Sequence, residues 1–546
     1  MKAAELLIRC LEMEGVKYIY GLPGEENMDI LDALLDSPIK FISARHEQGA
    51  AFMADLQGRL TGRAGVCLST LGPGATNLMT GVADANVDRA PVVAITGQCS
   101  RDLMHKESHQ YINIVGTFRY ITKWNMQIRE PSVIPEIVRK AFKLAQQEKP
   151  GATHIDFPED VAKLDIEANP LPPEEFLETP APMEASVKRA AQIISRAKTP
   201  IVLAGNGVIR GHASHALMKF AERLNIPVAN TFMGKGCLPY NHPLSLMSVG
   251  LQARDFVNCG FDVADLVIAV GYDMVEYQPA LWNPLSDKLI IHVDATPSEV
   301  DASYIPAVEV VGDIRKSLEM LALEARREEG PGNYVFKLRE MILEELNEFK
   351  GNRSFPMKPQ RVISDLRAAL GEQDILISDV GAHKLWIARM YPCYHPNTCI
   401  ISNGYAAMGI ALPGAIAAKL WFPERKVLAA AGDGGFMMNC QEIETAIRVG
   451  TPLVVLIFND KGYGSIRWKQ LTRFGRPAFV DFANPKFARL AESFGAKGYE
   501  VQSADELLPI LKEALAKEAV SVIDCPVDYS ENLGLTERLG RLVCPI

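Results

Sequence analysis

Residues 427–460 read VLAAAGDGGFMMNCQEIETAIRVGTPLVVLIFND, and Lys461-Gly462-Tyr463-Gly464 follow. Two aliphatic runs, Val427–Ala431 and Leu453–Phe458, have the length and composition of buried strands. The stretch between them, FMMNCQEIETAIRVG, has helical periodicity, so the segment predicts one strand–helix–strand unit. Each strand runs into an aspartate: Asp433 within Gly432-Asp433-Gly434-Gly435, and Asp460 at the head of the Gly462-Tyr463-Gly464 turn. A parallel unit of this kind brings the C-terminal ends of its strands to one sheet edge, where α/β domains bind ligands. Glycines beside the carboxylates let a bulky phosphate approach the backbone. Two hard oxygen donors next to a phosphate suit Mg²⁺. GDGG alone reads more readily as a glycine turn with a capping aspartate. The preceding strand and the second aspartate at this spacing favour the ligand site.

The same alternation extends outward through the chain. Strand candidates are Gly65–Ser69 and Val92–Thr96, then Ile201–Ala204, Leu266–Val270 and Leu289–Val293, then Ile375–Ser378; Ala50–Leu60 and Asn77–Ala85 read as helices. Two breaks interrupt it. Residues 169–182, NPLPPEEFLETPAP, are too proline-rich for a helix or central strand. A second break spans about 326–359 and encloses a helical stretch, Tyr334–Phe349. Three blocks are therefore expected, 1–168, 183–330 and 355–546, each a doubly wound α/β domain on a parallel sheet.

The 57 Lys and Arg against 66 Asp and Glu give a net charge of −9. That argues against a general nucleic-acid or anionic-membrane binder, which carries a basic field. No stretch offers the ~20 apolar residues of a membrane span, and the N-terminal residues lack the unbroken apolar core of a signal peptide. A cytoplasmic protein is expected. The ten cysteines are scattered without a CxxC pair, which predicts reduced thiols.

The 432–464 pattern resembles the diphosphate-binding signature of thiamine diphosphate (ThDP) enzymes. The resemblance implies that the Asp433 and Asp460 side chains and the Gly462 carbonyl hold Mg²⁺, with Gly432, Gly434, Gly435, Tyr463 and Gly464 about the diphosphate. Many members carry asparagine where this chain has Asp460; a carboxylate is the harder ligand and tightens the metal site if anything. In the first block, Arg45-His46-Glu47-Gln48-Gly49-Ala50 resembles the family's catalytic glutamate segment. Glu47 would bond the pyrimidine ring and favour the imino form that deprotonates the thiazolium; alone, it would read as a helix N-terminal acid. Leu22-Pro23-Gly24 is a pyrimidine-side turn by the same resemblance, and Gly72–Asn77 a loop opening a helix. His109-Gln110 and Lys123-Trp124 fall where relatives place substrate-side residues, although an HQ pair alone is an ordinary surface loop. In the third block, Gly381 and His383 of DVGAH match residues that approach the diphosphate, and Asn403 and Gly404 lead to Met408. Met408 matches the apolar wedge between the two cofactor rings; outside this string a methionine here would be core filler.

The whole chain is most similar to acetolactate synthases, and among them to the catabolic, pyruvate-condensing type, by Gly271–Tyr277 and Val527–Asn532. It lacks the arginine-bearing segment that helps biosynthetic relatives hold FAD, so FAD is not expected. Lys469 departs from the glutamine or tryptophan of relatives. It could pair with a substrate carboxylate or turn to solvent, which leaves a second pyruvate, a larger 2-keto acid or an aldehyde as acceptor. The implied reaction is decarboxylation of pyruvate and carboligation to a second pyruvate, giving 2-acetolactate and CO₂. A 2-keto acid decarboxylase, an aldehyde carboligase and an FAD-dependent pyruvate oxidase are the alternatives; intact Glu47, Asp433 and Met408 count against a non-catalytic paralogue. In relatives, the glutamate-side and metal-side blocks at one cofactor come from different subunits, which implies a homodimer at least and suggests a homotetramer.

Overall fold

The computed structural model describes residues 1–172, 179–250, 255–327, 330, 332–534 and 544. The chain builds three six-stranded sheets, and every pairing in them is parallel. The first contains β1 (Tyr18–Gly21), β2 (Lys40–Ser43), β3 (Gly65–Ser69), β4 (Val92–Gln98), β5 (Trp124–Gln127) and β6 (Ala152–Pro158). The second contains β7 (Pro200–Ala204), β8 (Val228–Asn230), β9 (Ser245–Ser248), β10 (Leu266–Val270), β11 (Leu289–Asp294) and β12 (Val308–Val311). The third contains β13 (Ile375–Ser378), β14 (Cys399–Ile401), β15 (Val427–Gly432), β16 (Val454–Asn459), β17 (Lys497–Glu500) and β18 (Ser521–Pro526). The first sheet runs β2-β1-β3-β4-β6-β5 and the third β14-β13-β15-β16-β18-β17, one order used twice. The second, read β9-β8-β7-β10-β11-β12, has the 3-2-1-4-5-6 order of dinucleotide-binding folds.

Central strands such as LVIAV of β10 are buried along their whole length, as a parallel sheet covered on both faces requires. The stretch after GDGG forms two helices, Asp433–Asn439 and Glu442–Arg448, instead of one. Asp433 is itself the first helical residue. At the break, the buried Asn439 turns its amide inward to the Gly409 carbonyl (2.9 Å) and the Gln48 side chain (3.3 Å). The helical stretch in the second break is found at Asn333–Glu348; residues 173–178 of the proline-rich segment and 328, 329 and 331 of the second lie outside the described residues.

One core joins the first and third domains, with Phe52, Leu56 and Leu78 packed among Ile410, Ile416 and Val455. It is tight where helix Glu47–Thr61 crosses helix Ala411–Trp421: a Cβ on Gly414 would stand 2.5 Å from Leu56 Cγ. A second core joins the central and third domains through Leu246, Phe261, Leu376 and Trp386. The expectation of reduced thiols fails at one pair. Cys259, in helix Phe256–Val263, is disulfide-bonded to Cys544, 285 residues away in sequence. Spacing gives no sign of a pairing over that range. The other cysteines are free. Among the described residues no helix is long and apolar enough to cross a membrane.

Candidate functional site

A cavity of ≈ 760 Å³ opens at the C-terminal ends of β13, β15 and β16, between the third and central domains. Every third-domain residue picked out from sequence lines it: Gly381, His383, Asn403, Gly404, Met408, Gly432, Asp433, Gly434, Gly435, Asp460, Gly462, Tyr463, Gly464 and Lys469. At its floor, Asp433 Oδ1 accepts from the Gly434 N–H (2.8 Å). Its Oδ2 accepts from the Asn484 amide (2.7 Å) and the Gly462 N–H (3.3 Å). Burial raises the Asp433 carboxyl above its ordinary range. Burial and the neighbouring Asp433 charge push Asp460 up to about 7, against the pull of the Arg467 guanidinium 2.8 Å away. Two carboxylates raised by burial, one of them also by the charge of the other, form a donor set that a hard divalent cation would relieve.

The surroundings fit a phosphate. Burial pushes the His383 imidazole down to about 3, so it is neutral, and it stacks on Phe458. Its Nε2 is buried without a partner among the described residues, as is the hydroxyl of Tyr529, which also lines the cavity. Lys384 approaches from one side, with Nζ 3.0 Å from Asn403 Oδ1 and 3.3 Å from the Ser402 carbonyl; burial pushes it down to about 8. Lys469 is exposed on helix Gly464–Phe474 and has no ion-pair partner among the described residues. Sequence reasoning missed Lys384, Arg467, Asn484 and Tyr529. Only Arg467, seven positions after Asp460 in the helix that follows the turn, had a local signal.

The first-domain candidates gather elsewhere. Glu47 opens helix Glu47–Thr61, and its Oε2 accepts from Asn77 Nδ2 (2.9 Å), early in helix Pro73–Val87. His46 caps the first helix through Nδ1, which accepts from the Gln48 N–H (3.1 Å). The turn is fixed from the third domain: the Glu442 carboxylate accepts from the Arg45 and His46 N–H groups at 3.1 Å each. Gly49 leaves room for that carboxylate, since a Cβ would lie 2.8 Å from Glu442 Oε1 and push it away. Pro23 and Gly24 form the turn after β1, closed by Asn27 Oδ1 accepting from the Gly24 N–H (2.9 Å) and packed on Thr70. His109 and Gln110 are exposed, with the Gln110 backbone against Gly72. None of these residues lines the cavity. Lys123 and Trp124 do not either. Lys123 Nζ donates to the carbonyls of Gln147 (2.8 Å) and Lys149 (2.7 Å), and the Trp124 ring lies under Lys140.

In the central domain, Glu276 reaches the crevice between β7 and β10. Its two oxygens accept from the Asn206 N–H at 3.1 Å each, and it also accepts from the Thr231 hydroxyl. In dinucleotide-binding folds that helix start receives the pyrophosphate. Here a carboxylate of the chain, pushed up to about 7 by burial, stands in its place.

Family comparisons agree with this architecture. The models described as thiamine pyrophosphate enzyme N-terminal TPP binding domain, central domain and C-terminal TPP binding domain match residues 1–117, 187–321 and 379–525. The chain belongs to the thiamine pyrophosphate enzyme family and is a ThDP-dependent enzyme. Within that family it is similar to acetolactate synthase large subunits. It is 38% identical to the probable acetolactate synthase large subunit of Methanocaldococcus jannaschii, over 99% of this chain and 94% of that protein. It is 35% identical to the acetolactate synthase of Bacillus subtilis strain 168 (98% and 94% covered). It is also 35% identical to the catabolic acetolactate synthase of Raoultella terrigena (97% and 95%).

Proposed function

We propose that this chain decarboxylates pyruvate and joins the two-carbon unit to a second pyruvate, giving 2-acetolactate and CO₂. The observation that carries the reading is the cavity itself: two facing carboxylates, a glycine-lined edge, an unpartnered imidazole nitrogen and Met408 meet at one sheet edge. In this reading Mg²⁺ is held by Asp433, Asp460 and the Gly462 carbonyl. Gly432, Gly434, Gly435 and His383 Nε2 would hold the diphosphate. When bound, ThDP supplies the carbon nucleophile that adds to the keto group and the electron sink that takes up the pair released with CO₂. Glu47, oriented by Asn77, holds the proton shared with the pyrimidine ring. Met408 would be the apolar wedge against the two rings. Lys469 Nζ meets the carboxylate of the acceptor, and the cavity walls exclude water.

Glu47 stands outside the cavity of its own chain, so a second copy supplies it. A homodimer is the smallest complete unit, and a homotetramer pairs two of them. Exposed Tyr405, Met437, Met438 and Ile466 support an apolar partner surface. We assign no FAD to the chain, because Glu276 occupies the crevice. The domains divide at 1–168, 183–330 and 355–546.

The test is an end-point assay with ThDP, Mg²⁺ and pyruvate. It quantifies CO₂, acetaldehyde and acetolactate, the last as acetoin after acidification. One acetolactate per two pyruvates is expected. Acetaldehyde without acetolactate would make the protein a simple decarboxylase, and product only with an added aldehyde or larger keto acid would reassign the acceptor.

A further inference from the structure

A buried charge cluster at the end of helix Pro73–Val87 grips the loop that carries Met408. Asp84, in the last turn, and Asp88, just beyond it, have no exposed surface. Arg59 binds both, through Nη2 (2.7 Å) and Nη1 (2.8 Å), and binds Asp55 through Nε (2.5 Å). One guanidinium thus faces three buried carboxylates, and their remaining lone pairs need donors. The donors come from the third domain. Asp88 Oδ1 accepts from the N–H groups of Gly404 (2.7 Å) and Tyr405 (3.1 Å), and Oδ2 from that of Asn403 (3.2 Å). Asp84 Oδ1 accepts from the Ala407 N–H (3.0 Å) and the Ser402 hydroxyl (3.1 Å). Gly404 is required at this approach, since a Cβ there would collide with Asp88 Oδ1. Beyond Met408, the Gly409 N–H donates to Asp379 Oδ1 (2.9 Å). The backbone is left-handed at Ala406 (φ 59°) and Gly409 (φ 93°), on either side of Met408. An alanine holds that conformation only where its surroundings impose it.

We propose that Asp84 and Asp88 are positioning residues for Met408: a helix of the first domain holds the N-terminal side of the loop, as Asp379 of the loop's own domain holds the C-terminal side, and so helps fix where this side chain enters the cavity. The consequence for a bound two-ring cofactor rests on the function proposed above; the anchoring of the loop does not. Charge-assisted bonds to backbone N–H groups are among the stronger hydrogen bonds. An asparagine at 88 turns one acceptor into a donor aimed at a loop N–H in either orientation, and one at 84 aims it at a loop N–H or at the Arg59 guanidinium.

Two readouts on the full-length protein test this. Hydrogen exchange reports the 402–408 backbone, and the C2–H/D exchange rate of ThDP bound with Mg²⁺ reports the cofactor's geometry. In Asp88→Asn and Asp84→Asn, we expect loop amides to lose protection by about tenfold or more and C2 exchange to slow by about as much. ThDP affinity should stay within about threefold of wild type. Asp55→Asn, which shares the arginine but makes no bond to the loop, should leave loop protection and C2 exchange near wild type. Should the aspartate variants fold poorly, Gly404→Ala displaces the same carboxylate from the other side and should give the same signature. Wild-type loop protection in Asp88→Asn would overturn the proposal, as would an equal loss in Asp55→Asn. Lost protection with C2 exchange never faster than in free ThDP, even in wild type, would refute the proposed function and leave the anchoring standing.

Discussion

The first and third domains thread their strands in the same order, yet they contribute to the site in opposite ways. In the third, every candidate converges on one cavity, because Gly381, Met408, Asp433 and Asp460 all follow strands of one sheet and point past the same edge. In the first, Gly24, Glu47 and Asn77 gather at the equivalent edge of their own sheet, with no cavity residue among them. The difference teaches that a shared topology fixes where a site can form within a domain. Which sites meet is settled by packing between domains. Here helix Glu47–Thr61 and helix Ala411–Trp421 pack the first and third domains together, and in the function proposed above the two edges meet across copies.

The largest expected effect lies on the first-domain side. Glu47→Gln should lower kcat by about 10² to 10⁴ while ThDP affinity stays nearly unchanged; near-normal turnover in a steady-state assay would detach this edge from the chemistry. On the third-domain side the opposite split is expected. Asp433→Ala removes a metal ligand and should weaken Mg²⁺-dependent ThDP binding by about 100-fold or more, read by titration calorimetry. Unchanged ThDP affinity would mean that the cavity is not the metal site. At the seam between the domains, Arg59→Met leaves Asp55, Asp84 and Asp88 buried without their counter-ion and should destabilise the fold by about 3–5 kcal/mol in denaturant unfolding. A change below about 1 kcal/mol would show that the cluster does not join them. The smallest effect belongs to the rim. Lys469→Gln exchanges an exposed point charge for an amide and should raise the KM for pyruvate about fivefold or less with kcat largely retained. A lower KM would place the acceptor carboxylate elsewhere.

What was legible in the sequence follows the same divide. Strings that combine a strand, a glycine turn and an acid within a few positions, such as 427–435 and 375–383, carry their own placement, because a parallel sheet sends all such turns to one edge. Residues that act across the chain carried no such mark. Glu442 fixes the Arg45–His46 turn from 397 positions away, and Asn484 reaches Asp433 across 51. Asp84 and Asp88 did leave a trace: two acids four positions apart, one in the last turn of a helical stretch and one just beyond it, at a spacing that puts both on one face. Acids on a buried face imply partners, but nothing local says that those partners are the backbone of residues 403–407. The helix break at Cys440 and the Cys259–Cys544 bond were equally out of reach, since both depend on neighbours that only the folded chain supplies.

The account stands on one claim, that the cavity of one copy is completed by Glu47 of another. Complementation between two inactive variants tests it most directly. Glu47→Gln and Asp433→Ala chains, co-expressed with different tags and purified through both, should form mixed dimers in which one of the two sites has both an intact Glu47 and an intact Asp433. The account predicts about half of wild-type turnover per mixed dimer from parents that are each nearly inactive. Mixed dimers as inactive as either parent would contradict it, and would mean that Glu47 and Asp433 serve the same site from within one chain.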